Sequence, residues 1–124
     1  MVKSILIVDD DPNIVISLEF LMKREGFEVA VAADGEAALA AIGKHVPDLV
    51  LLDIMMPKKD GYEVCQEIRS NPAWKDLKII MVTAKSRDTE RAKGLALGAD
   101  AYVTKPFSTK DLAQQVRILV GAPQ

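Results

Sequence analysis

The chain has 124 residues and a mass of 13.5 kDa, the length of one domain, and a chain of this size buries about two thirds of its unfolded surface without a disulfide or metal staple. Its 49% hydrophobic and 27% charged residues are a globular mix that argues against disorder. Sixteen basic residues against eighteen acidic ones give a net charge of -2, which speaks against a basic nucleic-acid-binding surface, and the single cysteine, Cys65, excludes an internal disulfide and argues against a cysteine zinc cage.

Met1-Val2-Lys3-Ser4 leads straight into Ile5-Leu6-Ile7-Val8 with no cleavage site, so no signal peptide is expected. Apolar runs such as Leu49 to Leu52 are far too short to span a bilayer, and a reducing, cytoplasmic setting fits. Ile5 to Val8 is a continuous β-branched-rich run, the signature of a strand covered on both faces, and it stops at Asp9-Asp10-Asp11. Asp11-Pro12 opens a helix, Asp11 as N-cap and Pro12 in the first turn. Ile14, Leu18 and Leu21 form its inner stripe and Gly26 ends it. Phe27, Val29 and Val31 alternate with Glu28, Ala30 and Ala32, as in a half-exposed edge strand.

Asp34-Gly35-Glu36 starts a second helix carrying Leu39 and Ile42, which Pro47-Asp48 breaks. Leu49 to Leu52 is the next buried strand, ending at Asp53. Gly61 precedes a third helix with Val64 and Ile68, stopped by Asn71-Pro72. Ile79 to Val82 is another buried strand, ending at Thr83. Asp88 is expected to cap a weak fourth helix with Ala92 and Leu95 inward, where Gly94 costs about 1 kcal/mol of intrinsic stability relative to alanine. Ala101-Tyr102-Val103 is a short strand followed by Lys105-Pro106, and Ser108 with Asp111 caps a last helix bearing Leu112, Val116 and Leu119. The whole reads as (βα)5, a doubly wound parallel α/β sheet with the alternating second strand at an edge, so the expected strand order is 2-1-3-4-5.

That order collects the chemistry at one edge of the sheet. Asp9 and Asp10 follow the first strand, Asp53 the third, Thr83 the fourth and Lys105 the fifth, all at carboxyl ends. Carboxylates meeting there repel one another and call for a cation, and an all-oxygen set with few carboxylates suits Mg²⁺. A carboxylate is also a nucleophile that forms an aspartyl phosphate. Asp53, alone at its strand end, is the expected nucleophile, with the Asp9 and Asp10 pair for the metal; Mg²⁺, an ammonium and a hydroxyl can each hold one phosphoryl oxygen.

Ile7-Val8-Asp9-Asp10, Leu52-Asp53-Ile54-Met55-Met56-Pro57 with Asp60-Gly61, Val82-Thr83-Ala84 and Lys105-Pro106-Phe107 stand in order across nearly the whole chain, which thereby resembles the receiver domain of bacterial two-component response regulators. The resemblance implies a flavodoxin-like fold over residues 1–120, with residues 121–124 a tail or the start of a linker. It implies phosphorylation of Asp53 by a histidine kinase or phosphotransfer protein. It makes Asp10, Asp53 and the backbone carbonyl of Met55 direct Mg²⁺ ligands and Asp9 a ligand through water. Thr83 and Lys105 then contact the phosphoryl group, Tyr102 is the aromatic switch, and the Lys105-Pro106 bond is a cis-proline candidate. The surface of the fourth helix, fifth strand and fifth helix is expected to change when Thr83 and Tyr102 move, controlling a downstream protein or a fused output domain. Neither nucleic acid nor a membrane is an expected partner of this domain, and self-phosphorylation and autodephosphorylation are its only expected catalysis.

Plainer readings stand beside these. Asp11 is read as a helix cap, His45 as a surface residue, Cys65 as helix packing, Met55 and Met56 as gap-filling side chains, and Trp74 as the anchor of the loop from Asn71 to Leu77. Ile16 and Phe20 are read as core, with a phosphodonor docking surface as the second reading. Arg91 and Asp111 resemble one charged pair of receiver dimers, but Ala101 and Gln115 stand where other pairs need charges; a monomer is expected before phosphorylation, a dimer remaining open afterwards. Three other functions compete. A flavin-binding module needs a phosphate cradle after the first strand, where three aspartates stand. An aspartate-nucleophile phosphohydrolase is met formally by the spacing of Asp9 and Asp11 but leaves Asp53 without a role. A degenerate receiver would lack part of the set of Asp10, Asp53, Thr83 and Lys105.

Overall fold

A computed structural model describes residues 2–121 of the chain. Met1 and the part of the expected tail at residues 122–124 lie outside the described residues. Strands and helices alternate as β1 (Ser4–Val8), α1 (Pro12–Arg24), β2 (Glu28–Ala32), α2 (Gly35–Lys44), β3 (Leu49–Leu52), α3 (Gly61–Ser70), β4 (Lys78–Thr83), α4 (Asp88–Ala96), β5 (Ala101–Thr104) and α5 (Thr109–Val120), with a 3-10 turn at Pro72–Trp74. All strand pairs are parallel and the order is β2-β1-β3-β4-β5, a flavodoxin-like sheet. Among the described residues no helix is long and apolar enough to cross a membrane.

The continuous apolar runs are central because both of their faces are covered. Alternate residues of β1, β3 and β4 point to opposite sides. Leu6, Val8, Val50, Leu52, Ile79 and Met81 pack with Ala38 and Ile42 of α2 and Val64, Cys65 and Ile68 of α3. Ile5, Ile7, Leu49, Leu51, Ile80 and Val82 pack with Leu18, Leu21 and Met22 of α1 and Leu112, Ala113 and Val116 of α5. Each fully buried aliphatic side chain contributes about 1.5–3 kcal/mol. Trp74 packs against the first of these clusters, as its anchoring role requires.

Local chemistry sets the helix starts. The Asp11, Asp34 and Asp60 carboxylates accept from the amides of Asn13, Ala37 and Glu63, and the Ser108 hydroxyl accepts from Asp111. Asp60 is thus the cap of α3, and Gly61 is its first residue rather than a residue before it.

Three expectations are corrected. Ile16 and Phe20 are not core: they are 64% and 66% exposed. Each lies two positions, or about 200° of helical rotation, from Leu18, which points inward. In α4 the cap position is Arg87, without a side-chain capping bond, and Asp88 is the first helical residue. Gly94, not Ala92 or Leu95, is its buried residue; a Cβ there would lie 3.0 Å from Met81 Sδ and 3.2 Å from the Tyr102 ring, so α4 meets the sheet through a close backbone approach instead of a leucine stripe. In β2 the edge position is as expected, but Val31 is exposed and Ala32 buried, because Ala32 faces the α2–α3 side of the sheet and packs into its core.

Candidate functional site

Register brings the polar residues together. Val8 of β1 is paired with Leu52 of β3, so the next residues, Asp9 and Asp53, emerge side by side, and the Asp53 amide donates to the Val8 carbonyl (3.0 Å). Leu52 is paired with Met81, which sets Thr83 one residue beyond Asp53 on the neighbouring strand. Beyond β5 the Lys105 amide donates to the Thr83 carbonyl (2.8 Å), and the following Lys105–Pro106 peptide is cis. Among the described residues, the buried polar or charged ones are Asp9 (2% exposed), Asp53 (7%) and Thr83 (0%), all at this edge. Water has been excluded from three groups that prefer it, a concentration of cost that a purely structural strand end does not require.

Each oxygen has a defined neighbour. Asp9 Oδ1 accepts from the Asp11 amide (2.9 Å), and its Oδ2 accepts from Lys105 Nζ (2.8 Å). Asp53 Oδ1 accepts from the Ile54 amide (2.7 Å), and its Oδ2 lies 3.5 Å from Lys105 Nζ. Asp10 is exposed at the rim. Carboxylate oxygens of Asp9, Asp10 and Asp53 all fall within 4.8 Å of one another. This hard, all-oxygen donor set fits a small divalent cation. Met55 follows in the β3–α3 connection with its side chain 60% exposed, so it is not the gap-filler that the sequence suggested. Asp11 is exposed and occupied with its helix cap, which removes it from the cluster.

Burial, and then the charge of Asp9, push the Asp53 carboxyl above its ordinary value, against the opposing pull of Lys105, the Thr83 hydroxyl and the Ile54 amide. For Lys105, burial presses the ammonium down, but the hydrogen bond to Asp9 and the charges of Asp53 and Asp9 outweigh it and the net shift is upward. Lys105 therefore stays a cation while the carboxylates remain mutually strained.

Tyr102 is buried, and its hydroxyl donates to the Lys85 carbonyl (2.7 Å), two residues beyond Thr83. The Lys85 amide in turn meets Thr83 Oγ1 at 3.4 Å. Gly61 was visible in the sequence as part of a motif and as the residue before the third helix, but not as a close backbone contact. A Cβ on it would lie 2.3 Å from the Asp53 carbonyl oxygen and 2.7 Å from Ile54 Cα, so glycine is what lets α3 start against the Asp53 backbone. Lys85, Glu90 and Tyr62, which surround the Tyr102 hydroxyl, carried no signal in the sequence because they belong to no strand end.

Residues 5–117 match the model of the response regulator receiver domain family. A putative response regulator from Chloroflexus aurantiacus is 37% identical, with 97% of this chain and 98% of that chain covered and a TM-score of 0.93. A CheY-like response regulator receiver domain protein from Methanospirillum hungatei is 34% identical, with 97% and 94% covered and a TM-score of 0.90. The BeF3-activated N-terminal receiver domain of Klebsiella pneumoniae RstA is 30% identical, with 95% and 98% covered and a TM-score of 0.89.

Proposed function

This chain belongs to the response regulator receiver domain family, and we propose that it is a signalling switch in which Asp53 accepts a phosphoryl group from a histidine kinase or phosphotransfer protein. The observation that carries this reading is the buried Asp53 carboxylate within reach of Asp9, Asp10 and the Lys105 ammonium. An Asp53 oxygen forms the new O–P bond as the donor's N–P bond breaks and its imidazole leaves with the electron pair; with acetyl phosphate an O–P bond breaks and acetate leaves. Lys105, 3.5 Å from Asp53 Oδ2, faces charge that builds on the transferring oxygens, and the Thr83 hydroxyl donates to another. Asp10, Asp53 and the Met55 carbonyl would hold Mg²⁺ directly and Asp9 through water, in keeping with an Asp9 whose two oxygens are already engaged by Asp11 and Lys105. Bound there, Mg²⁺ neutralises the crowded carboxylates and the incoming phosphoryl charge.

Thr83 and Tyr102 then carry the event to the α4–β5–α5 surface, which controls a downstream protein or a fused output domain. The exposed Ile16 and Phe20 on α1, the helix that starts beside Asp10, offer an apolar face to the phosphodonor. The domain spans residues 1–120, works in the cytoplasm and is a monomer before phosphorylation. The two rival chemistries lose ground on two features: aspartates rather than a phosphate cradle follow β1, and Asp11 is committed to capping α1.

Intact mass after incubation with acetyl phosphate, with and without Mg²⁺, tests the reading. One phosphoryl adduct is expected only with Mg²⁺; it is expected to vanish in Asp53→Asn and to need more metal in Asp10→Ala. Undiminished labelling of Asp53→Asn removes Asp53 from the role, and steady turnover of phosphate esters points to the phosphohydrolase instead.

A further inference from the structure

Helix α4 has little to hold it by apolar packing, because Gly94 is its only buried residue. What fixes it is a polar cluster centred on Glu90. The Tyr62 hydroxyl on α3 donates to Glu90 Oε2 (2.6 Å). Lys85 Nζ, in the β4–α4 connection, lies 3.6 Å from Glu90 Oε1. Lys93, one turn further along α4, places its ammonium 4.2 Å from the Tyr62 ring centroid.

The same cluster surrounds Tyr102. Lys85 joins the two: its amide meets Thr83 Oγ1, its carbonyl accepts the Tyr102 hydroxyl, and its ammonium pairs with Glu90. The Tyr102 ring is roofed by α4 itself, with Gly94 against one edge and the Arg91 guanidinium 5.9 Å from its centroid. The inward place of Tyr102 therefore needs both the Lys85 carbonyl and α4 to stay where they are, and one carboxylate holds both.

We propose that Glu90 is a positioning residue for the Tyr102 switch: through Tyr62 and Lys85 it pins α4 and the Lys85 carbonyl, and so sets how much of the chain keeps Tyr102 inward. The Glu90 carboxyl is drawn below its ordinary range first by the Tyr62 hydroxyl and also by Lys85, so the latch is charged at neutral pH. Tyr62, raised by burial and by Glu90, remains a donor. The inference deepens the switch reading above and rests on it for what the latch controls, but the position of Tyr102 is measurable without any phosphoryl transfer.

The chain contains two tyrosines, so ring-labelled tyrosine gives two sets of NMR signals, and Tyr62→Phe leaves Tyr102 alone. The spectra are recorded in EDTA, in an Asp53→Asn background, which removes the phosphorylation question from the readout. The outward Tyr102 population is expected to rise roughly tenfold in Glu90→Ala and in Tyr62→Phe, the weight of one charge-assisted hydrogen bond. Glu90→Gln, which keeps an acceptor but loses the charge, is expected to move Tyr102 less, and it decides the matter should the alanine variant not fold. Glu67→Ala, which breaks the exposed pair with Lys59 on the outer side of α3, is expected to leave Tyr102 unmoved. Tyr102 signals in Tyr62→Phe and Glu90→Gln that coincide with those of the parent overturn the latch, whatever acetyl phosphate does at Asp53.

Discussion

Replacing Asp53 with asparagine is expected to stabilise the protein while it abolishes the proposed phosphorylation. The magnitude follows from three opposing effects. With an effective dielectric of about 20, Lys105 at 3.5 Å attracts the Asp53 carboxylate by about 5 kcal/mol. Asp9, with an oxygen within 4.8 Å, repels it by about 3–4 kcal/mol. Removing the carboxylate from water costs several kcal/mol more. The repulsion and the desolvation together exceed the attraction, in agreement with the upward direction of the Asp53 carboxyl. Asparagine keeps the shape, loses the penalty and gives up the attraction, a net gain of about 1–2 kcal/mol at pH 7 without metal. The pH dependence has a fixed sign. A carboxyl raised in the folded state makes wild-type stability fall as pH rises through the folded value, so the advantage of Asp53→Asn is full above that value and disappears in acid, where wild-type Asp53 is protonated. Urea melts of both proteins in EDTA, from pH 7 down to about pH 4, measure it. A loss of stability in Asp53→Asn at pH 7, or an advantage that grows toward acid, would refute the reasoning. The outcome also protects the functional test, since a variant that is more stable and yet unlabelled has lost a reactive group and not its fold.

Gly61→Ala is expected to destabilise by about 3 kcal/mol, because the new methyl meets the Asp53 and Ile54 backbone rather than a yielding side chain; a change under about 0.5 kcal/mol in a urea melt would contradict it. Arg69→Met is expected to cost about 3 kcal/mol, since the guanidinium donates to the carbonyls of Gly98 (2.8 Å) and Leu77 (2.6 Å) and to Asp100 (2.8 Å), tying α3 to the C-terminal end of α4 and to the entries of β4 and β5; thermal melts that match wild type would remove it from that role. Cys65 is fully buried with its thiol pushed up to about 11, so the thiolate is about one part in a thousand at pH 8; the native protein is expected to resist thiol reagents until urea unfolds it, and prompt modification of the folded chain would contradict that.

The sheet was legible because its signals are local. Runs such as Ile5 to Val8 and Leu49 to Leu52 need cover on both faces, and strict strand–helix alternation leaves a parallel sheet as the outcome. The edge place of β2 was legible from its alternation, which holds from Glu28 to Ala30 and is reversed only at its end, where Val31 is exposed and Ala32 buried. The candidate site was legible for a related reason. In a parallel sheet every strand ends at the same edge, so Asp9, Asp53, Thr83 and Lys105 are neighbours by topology, without side-chain detail.

What escaped the sequence depends on which way a helix faces when its apolar content is ambiguous. Ile16 and Phe20 are as apolar as Leu18, and only the phase set by Leu18, Leu21 and Met22 turns them outward. In α4 the ambiguity is greater, because its contact with the sheet is an absence of side chain at Gly94, which no hydrophobic pattern records. A helix seated on glycine has few apolar contacts to lose, so small electrostatic differences at Glu90 can move it. The same feature that hid the orientation of α4 in the sequence is what suits it to the part proposed for it in the switch, whereas α1, α3 and α5 are held to the sheet by buried leucines, isoleucines and valines.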